Sequence, residues 1–555
     1  MIRRQTRELR RGLILLVVLI IVVLLSLLAA GYTFMVRANL NAAVAYHQQF
    51  QARVAAESGV QAAITMLRDG RNNPGLWYDN PDVFKAIVVA GAPDKVEPIN
   101  KDTTDRYDPN APQAWRYKVV APNYDDPTTV RYGITDECAK LDLNRATEAQ
   151  FRRLFEMVIP QETTDLVDVN VLVDSLLDWR DGGAAPRPNG AKDDYYNTLD
   201  PPYRCKGARF STIEELLLVR GFTAWVVFGE DYNRNGLLDP NEDDADASFP
   251  PDNADGALFA GVSPYFTLWS RERNVSSNNR ARINLNMKDA QKLQEAMAEV
   301  IPSQIASYVM EIRGGGGAFN SVMNLLPAPP PPEEEEEEDP TTQPATSQPA
   351  QEDPSTTQPT SQPDKGMDAG TEQPSTDLDQ ARGASEKKPK AKRPVYQNLT
   401  ATIPPGTYED LPLILDRLTV QPTPMFAGRI NVSTAPRPVL AMIEALTDEE
   451  LDAIVAARRE LTPEERATPA WLLTRSVIDE NRFRQILDKL AMGSAVFRVE
   501  SVGYADHVGV VERINVVLEM RGPVPQVLYQ RNLGSLGVAY QPHGEEFRGV
   551  REGTP

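Results

Sequence analysis

Leu13 to Val36 is a run of 24 residues without a charge, long enough to cross a hydrocarbon core at the α-helical rise of about 1.5 Å per residue. Nothing else in the chain limits its arrangement as strongly. Ahead of the run stand Arg3, Arg4, Arg7, Arg10 and Arg11 against the single Glu8; behind it comes Arg37 and then mostly neutral residues. That asymmetry places the amino end in the cytoplasm and the bulk of the chain outside. A cleaved secretory peptide has a shorter apolar core, although Ala29, Ala30 and Gly31 offer the small residues such a cut needs. From Arg37 to Asp69 the chain is free of proline and rich in Ala and Gln, with apolar groups Leu40–Val44, Phe50–Val54 and Val60–Ile64–Leu67 at helical spacing. Gly70 and the following "RNNPG" terminate it. The pattern predicts one helix from Leu13 to Asp69, ~85 Å long, half in lipid and half packed on a folded domain.

A chain of 555 residues exceeds one ordinary domain, so two to four folded units are expected. With 78 acidic against 58 basic residues the net charge is -20, which argues against a nucleic-acid binder. Histidine is limited to His47, His507 and His543. There are two cysteines, Cys138 and Cys205. In an exported chain they could pair and close a loop worth roughly 2–4 kcal/mol; two unpaired buried thiols are the equal alternative.

Short alternating runs, "AWRYKVVA" and "TTVRYGITDE", precede a large middle region, and a cleaner pair within "AVFRVESVGYADHVGVVERINVVLEM" (495–520) follows it, with "ADH" as the turn. Strands on both sides of the middle predict one sheet interrupted by an insertion. The middle repeats itself: "AKLDLNRATEAQFRRLF" from Ala139, "ARINLNMKDAQKLQEAM" from Ala281 and "GRINVSTAPRPVLAMIEAL" from Gly428. Asn144, Asn286 and Ser433 are placed to cap the helices that follow. Each unit leads on to a Leu-rich stretch: "FSTIEELLLVRGF", "FNSVMNLLP" and, more loosely, "TPAWLLTRSV". These units resemble helix-hairpin-helix modules, some of which bind DNA backbone. Here "LVRGF" holds the one hairpin-like glycine, and the acidic balance opposes phosphate. Between the second and third units, residues 327–394 are Pro-, Glu-, Ser- and Thr-rich with little apolar content, the composition of a disordered linker.

"DYNRNGLLDPNE" fits the pattern D-x-[DN]-x-[DN]-G-x5-E of an EF-hand calcium loop. Asp231, Asn233 and Asn235 would supply side-chain oxygens, Leu237 a carbonyl, Asp239 a direct or water-mediated ligand and Glu242 a bidentate carboxylate, with Gly236 at the sharp turn. An Asx-rich turn is the alternative. "DDADASFPPDN" does not continue as an exit helix, so a lone loop is expected. In "LLDWRDGGAAPRPNGAKDDYYNTLDPPYRCK" the carboxylates of Asp178, Asp181, Asp193 and Asp194 make a candidate second metal site, the alternative being a surface loop packed down by Tyr195, Tyr196 and Tyr203. No H-E-x-x-H, P-loop or G-x-S-x-G occurs, and nothing points to an enzyme.

The leader ending in Arg11-Gly12, followed by an unbroken apolar helix running into "QARVAAESGVQAAITML", resembles the class-3 signal of type IV pilin-like proteins. In such proteins a prepilin peptidase cuts after the glycine and the new amino terminus is methylated; the resemblance places that cut between Gly12 and Leu13. Most pilins have glutamate at the fifth mature position, where this chain has Val17. A lipid-buried carboxylate needs a partner, so a subunit lacking it fits poorly inside a filament. With that departure, "ITDECAKLDLN" and the run from "LLDWRDGG" to "LLLVRGF" resemble the general secretion pathway protein K family, the large minor pseudopilins of type II secretion. Three repeat units instead of two, and the cysteines, depart from the family pattern.

The resemblance implies an α+β, pilin-type fold: a long N-terminal helix on a small antiparallel sheet, with a large, mainly helical insert containing helix-hairpin-helix-like repeats. The leader is then 1–12, the transmembrane part of the helix 13–36 and its periplasmic part 37–70. The sheet begins in 71–135, and the insert with two repeats and the calcium loop spans 136–326. The linker 327–394, a third repeat in 395–494, terminal strands in 495–522 and a tail 523–555 complete the chain. It further implies a single-pass inner-membrane protein at the tip of a secretion pseudopilus, initiating assembly and limiting growth. Its implied partners are other minor pseudopilins, the major pseudopilin, prepilin peptidase and the inner membrane, with no nucleic acid, and calcium is its implied cofactor. A minor pilin of a type IV pilus or DNA-uptake apparatus, and a membrane-anchored periplasmic helix-hairpin-helix binding protein, are the alternatives.

Overall fold

The computed structural model describes residues 2–90, 114–123, 129–160, 167–183, 185–245, 247, 252–327, 403–505, 508–522 and 524–537. Of the 327–394 tract only Pro327 falls among them, and the proposed turn residues Asp506 and His507 also lie outside.

With no proline to interrupt it, the first helix, α1, runs from Ile2 to Gly70, so the leader continues the same helix instead of preceding it. It is long and apolar enough to cross a membrane, with a mean hydropathy of 2.7 over its most apolar stretch. Every side chain from Leu16 to Val36 is exposed. Packing begins at Ala52, where Ala52, Ala55, Ala56, Val60, Ala63 and Leu67 recur at helical spacing and are buried. Leu40, Val44 and Phe50 remain exposed and Val54 half-exposed: the packing face joins the alanine stripe to Val60 and Leu67 and leaves out the first two apolar pairs. Small side chains let the helix backbone approach the sheet closely. A Cβ added to Gly503 would lie 2.0 Å from the Ala52 carbonyl oxygen, and one on Gly59 2.2 Å from Ser501 Oγ. The helix ends as Arg71 N donates to Leu67 O and Asn73 N to Gly70 O.

The sheet contains β1 (Ile87–Ala90), β2 (Trp115–Pro122), β3 (Val130–Arg131), β4 (Thr135–Asp136), β5 (Val496–Ala505), β6 (Val508–Glu519) and β7 (Gln526–Asn532). Its order is β1-β2-β5-β6-β7, with β3 on β2 and β4 on β5, all pairs antiparallel. Glu500 stands opposite Val120 and Tyr504 opposite Arg116, so strands from either side of the long middle region are neighbours. Strand β7 lies within the segment assigned to a tail. Its residues, "QVLYQRN", are largely polar and half-exposed, which is why no burial pattern announced it. One face of the sheet packs on α1 through Tyr117, Val119, Phe497, Val499, Ile514, Val516 and Leu518.

The insert is built of three structural repeats around one apolar core that includes Phe151, Phe155, Leu293, Met297, Leu440 and Trp471. Each begins with a short extended segment paired in parallel with a later one: Leu141–Asp142 with Phe266–Thr267, Ile283–Asn284 with Leu418–Thr419, and Ile430 with Leu490. Two helices follow in each repeat: Glu148–Val158 and Val169–Arg180, Ala290–Met297 and Ser303–Gly314, Arg437–Leu440 and Asp448–Ala457. The molecule is therefore α+β, a long N-terminal helix on an antiparallel sheet with a mainly helical insert.

Candidate metal loop and the repeat modules

Asp231 to Glu242 folds into a tight loop that buries Asp231, Asn235 and Glu242. Arg234 and Gly236 adopt left-handed backbone conformations, φ +57° and +70°, the second of which glycine takes at no steric cost. Those two turns direct the backbone N–H groups of Asn235 and Gly236 at the Asp231 carboxylate, each at 2.9 Å. Asn235 Oδ1 accepts from Leu237 N at 2.7 Å. The turn Pro240–Glu242 returns Glu242 to the start of the loop, where its carboxylate accepts from Tyr232 N at 3.1 Å and Asp239 N at 3.2 Å. The Asn233 and Asn235 amide nitrogens donate to Asp239 Oδ2 at 2.6 and 2.8 Å. The residues selected by sequence spacing are thus brought together, although Asp231, Asn233, Asn235, Asp239 and Glu242 are all also tied into the loop's own hydrogen bonds.

Among the described residues no three His, Cys, Asp or Glu side chains gather closely enough to hold an ion by themselves. A cation in this loop would need the asparagine oxygens and the Leu237 carbonyl as well as Asp231, Asp239 and Glu242. That donor set is all oxygen, the chemistry of a hard cation such as calcium. The electrostatics also fit. Burial pushes the Asp231 carboxyl up to about 6, and burial together with Asp231 and Asp239 pushes Glu242 up to about 7. Negative charge is held here at a cost that a cation would relieve.

The other aspartates are engaged separately. Buried Asp178 accepts from Arg187 Nη1 and from its backbone N–H, both at 3.0 Å. Asp181 pairs with Arg180 at 2.8 Å and Arg187 at 3.4 Å, and Asp193 accepts from Cys205 N at 2.8 Å. Asp194 is exposed. The four do not converge: guanidinium groups already neutralise the two nearest candidates. Tyr196 is buried against Trp179 and Tyr203, ring centroids 5.3 Å from each, and pins the loop from within. Cys138 and Cys205 do not pair. Both are free thiols, Cys138 buried beside Ser270 and Cys205 with its Sγ 3.4 Å from the Asp178 carbonyl oxygen.

The repeats share a polar clasp. Asn144 Nδ2 donates to Phe210 O at 3.1 Å while its Oδ1 accepts from Phe210 N at 2.8 Å. Asn286 does the same with Phe319, at 2.8 and 2.9 Å. In the third repeat Ser433 Oγ accepts from Trp471 Nε1 at 3.2 Å. These side chains are therefore not helix caps. Thr147 and Asp289 cap the helices of the first two repeats, and Pro436 precedes that of the third; the Asn and Ser residues are spent joining the start of a repeat to its end. An arginine closing each second helix completes the pattern. Arg180 donates to Ala146 O at 2.7 Å, Arg313 to Met287 O at 3.1 Å and Arg458 to Ala435 O, each reaching the turn after the opening strand. The recurrence of "DWR", "EIR" and "AAR" was the available signal.

Where insert meets sheet, Glu137 is fully buried and pairs with Arg498 at 2.8 Å and Lys140 at 3.5 Å. Burial opposes its charge, but the two cations prevail and lower its pKa to about 2. A cavity of about 340 Å³ lies alongside, bounded by Lys140, Arg498, Glu500 and Asn515 and reaching Asp231 and Gly236 of the loop.

Residues 136–227, which carry the first repeat and the aspartate loop, match the family model for type II secretion system (T2SS), protein K. The family resemblance read from the sequence is shown across that segment. No curated protein matches the chain. A solved structure with similarity is a chain of the GspK–GspI–GspJ complex of the type 2 secretion system from enterotoxigenic Escherichia coli. It shows 12% identity and a TM-score of 0.32, over 89% of this chain and 99% of that one.

Proposed function

We propose that this protein is a minor pseudopilin of type II secretion, acting by binding and not by catalysis. The observation that carries the reading is the protein K match over 136–227, in a chain whose apolar N-terminal helix continues without a break onto an antiparallel sheet. In this reading prepilin peptidase cuts between Gly12 and Leu13 and the new amino terminus is methylated. The helix from Leu13 then spans the inner membrane once, with its amino end cytoplasmic and the bulk of the chain periplasmic. Val17 replaces the carboxylate that pairs with a neighbouring subunit, which suits a place at the tip. There the broad insert obstructs a further subunit above while α1 packs with helices below, so the protein initiates assembly and limits growth. Its partners are other minor pseudopilins and the major pseudopilin; the complex named for the solved relative is consistent with that choice. The three repeats are read as helix-hairpin-helix-like modules serving as scaffold, supported by the arginines that occupy their turns. Calcium fills the Asp231–Glu242 loop. Affinity capture of the full-length protein from cross-linked cells is expected to recover secretion-system minor pseudopilins. Recovery of type IV pilus subunits in their place would refute the assignment.

A further inference from the structure

The metal loop also makes a specific contact with the sheet. Arg513, in the middle of β6, has a side chain only 1% exposed. It donates Nη1 to the carbonyl of Asn233 and Nη2 to the carbonyl of Arg234, while Nε donates to Glu500. Asn233 and Arg234 are the third and fourth residues of the twelve-residue loop, at the first left-handed turn. The two side chains that project around this turn, Asn233 and Asn235, belong to the proposed ligand set. Beside it Gly236 packs on Pro122 of β2; a Cβ there would lie 3.3 Å from that proline. Leu237, whose carbonyl completes the set, packs with Val120, Val502 and Tyr504 on the sheet. Arg531 of β7 and Arg234 share Glu214 next to the loop.

We infer that the loop is the calcium-dependent latch between insert and sheet, and that Arg513 is its positioning residue. A planar guanidinium fixes two carbonyls at once, and so fixes the turn from which ligands project. A cation drawing Asp231, Asp239 and Glu242 together holds the same turn against Arg513 from the other side. Binding and docking are then linked, and each strengthens the other by the same factor. The Glu137–Arg498 and Arg271–Glu519 pairs join insert to sheet elsewhere, so opening the latch leaves the fold in place.

The inference rests on the calcium reading, and the two are separable in one experiment on the full-length protein in detergent micelles. Calcium chloride is titrated by calorimetry into wild type, R513Q, R513K and E242Q, and hydrogen exchange is followed at the loop amides with and without calcium. Wild type is expected to bind, and E242Q to lose binding. R513Q is expected to bind about tenfold more weakly, as the loss of a charge-assisted hydrogen bond predicts, with Asn235 and Gly236 exchanging faster even at saturating calcium. R513K, which keeps the charge but not the fork, serves if R513Q does not fold; its expected loss is about threefold. Wild-type affinity and protection in whichever arginine variant folds would overturn the latch alone. No binding by wild type at millimolar calcium would end the calcium reading, and the latch with it.

Discussion

The central sheet offers one face to α1 and the other to the insert, and the two contacts are made of different materials. Against α1 the contact is apolar and close: Ala52 and Ala56 of the helix meet Gly503 of β5, and Gly59 meets Ser501. Against the insert the sheet contributes Arg498, Glu500 and Arg513; Arg498 meets the fully buried Glu137, and Arg513 the half-buried Asp231–Glu242 loop. An apolar contact weakens in proportion to the atoms added or removed. A buried charge network fails sharply, because deleting one partner leaves another charge desolvated and unpaired.

The largest effect should therefore come from the polar face. Glu137→Gln removes the buried carboxylate that Arg498 and Lys140 share, and a loss of roughly 3–5 kcal/mol is expected, read as the apparent unfolding midpoint of the detergent-solubilised protein. The same pair makes stability pH-dependent. Because Glu137 is held down at about 2, against an ordinary value of 4.5, its contribution is intact above pH 4.5 and lost as pH falls from there towards 2. That contribution is about 3 kcal/mol by linkage. A pH series of melting curves should show this acid limb in wild type and its loss in Glu137→Gln.

The apolar face should respond less, and without pH dependence. Gly503→Ala drives a methyl into the Ala52 backbone and should cost about 1–3 kcal/mol. Gly509→Ala, on the neighbouring strand with open space around it, should leave the melting point unchanged. If both glycines proved equally tolerant, the close approach of α1 to the sheet would be wrong. Smallest of all, Asn144→Ala removes both bonds to Phe210. It is expected to cost about 1–2 kcal/mol, visible as faster hydrogen exchange at Phe210 with little change elsewhere.

The same contrast decides what could be read from the amino-acid sequence. Helix α1 was visible because its cause is local: an uncharged run, no proline, and a glycine stop. The compact turn of Asp231–Glu242 was visible because the Asx residues and the glycine that shape it lie within twelve consecutive residues. Of the apolar groups read at helical spacing along α1, Val60–Ile64–Leu67 packs on the sheet, while the alanine stripe beside it was not legible, because its value depends on glycine at positions 59 and 503. Asn144 and Asn286 were taken for caps because they stand close before helices; their real partners, Phe210 and Phe319, lie 66 and 33 residues further on. Arg513 and Asn233 are separated by 280 residues, and no spacing rule reaches that far. The charged residues Glu512, Arg513 and Glu519 within the otherwise apolar run "VVERINVVLEM" were the local sign that β6 has something ionic to meet.

Mass spectrometry of the protein's amino terminus, purified from its own membranes, tests the central claim most directly. A pseudopilin assembled around α1 should begin at Leu13, twelve residues shorter than the translated chain and one methyl group heavier at its new amino terminus. An intact Met1, or a chain beginning near Ala30, would contradict it.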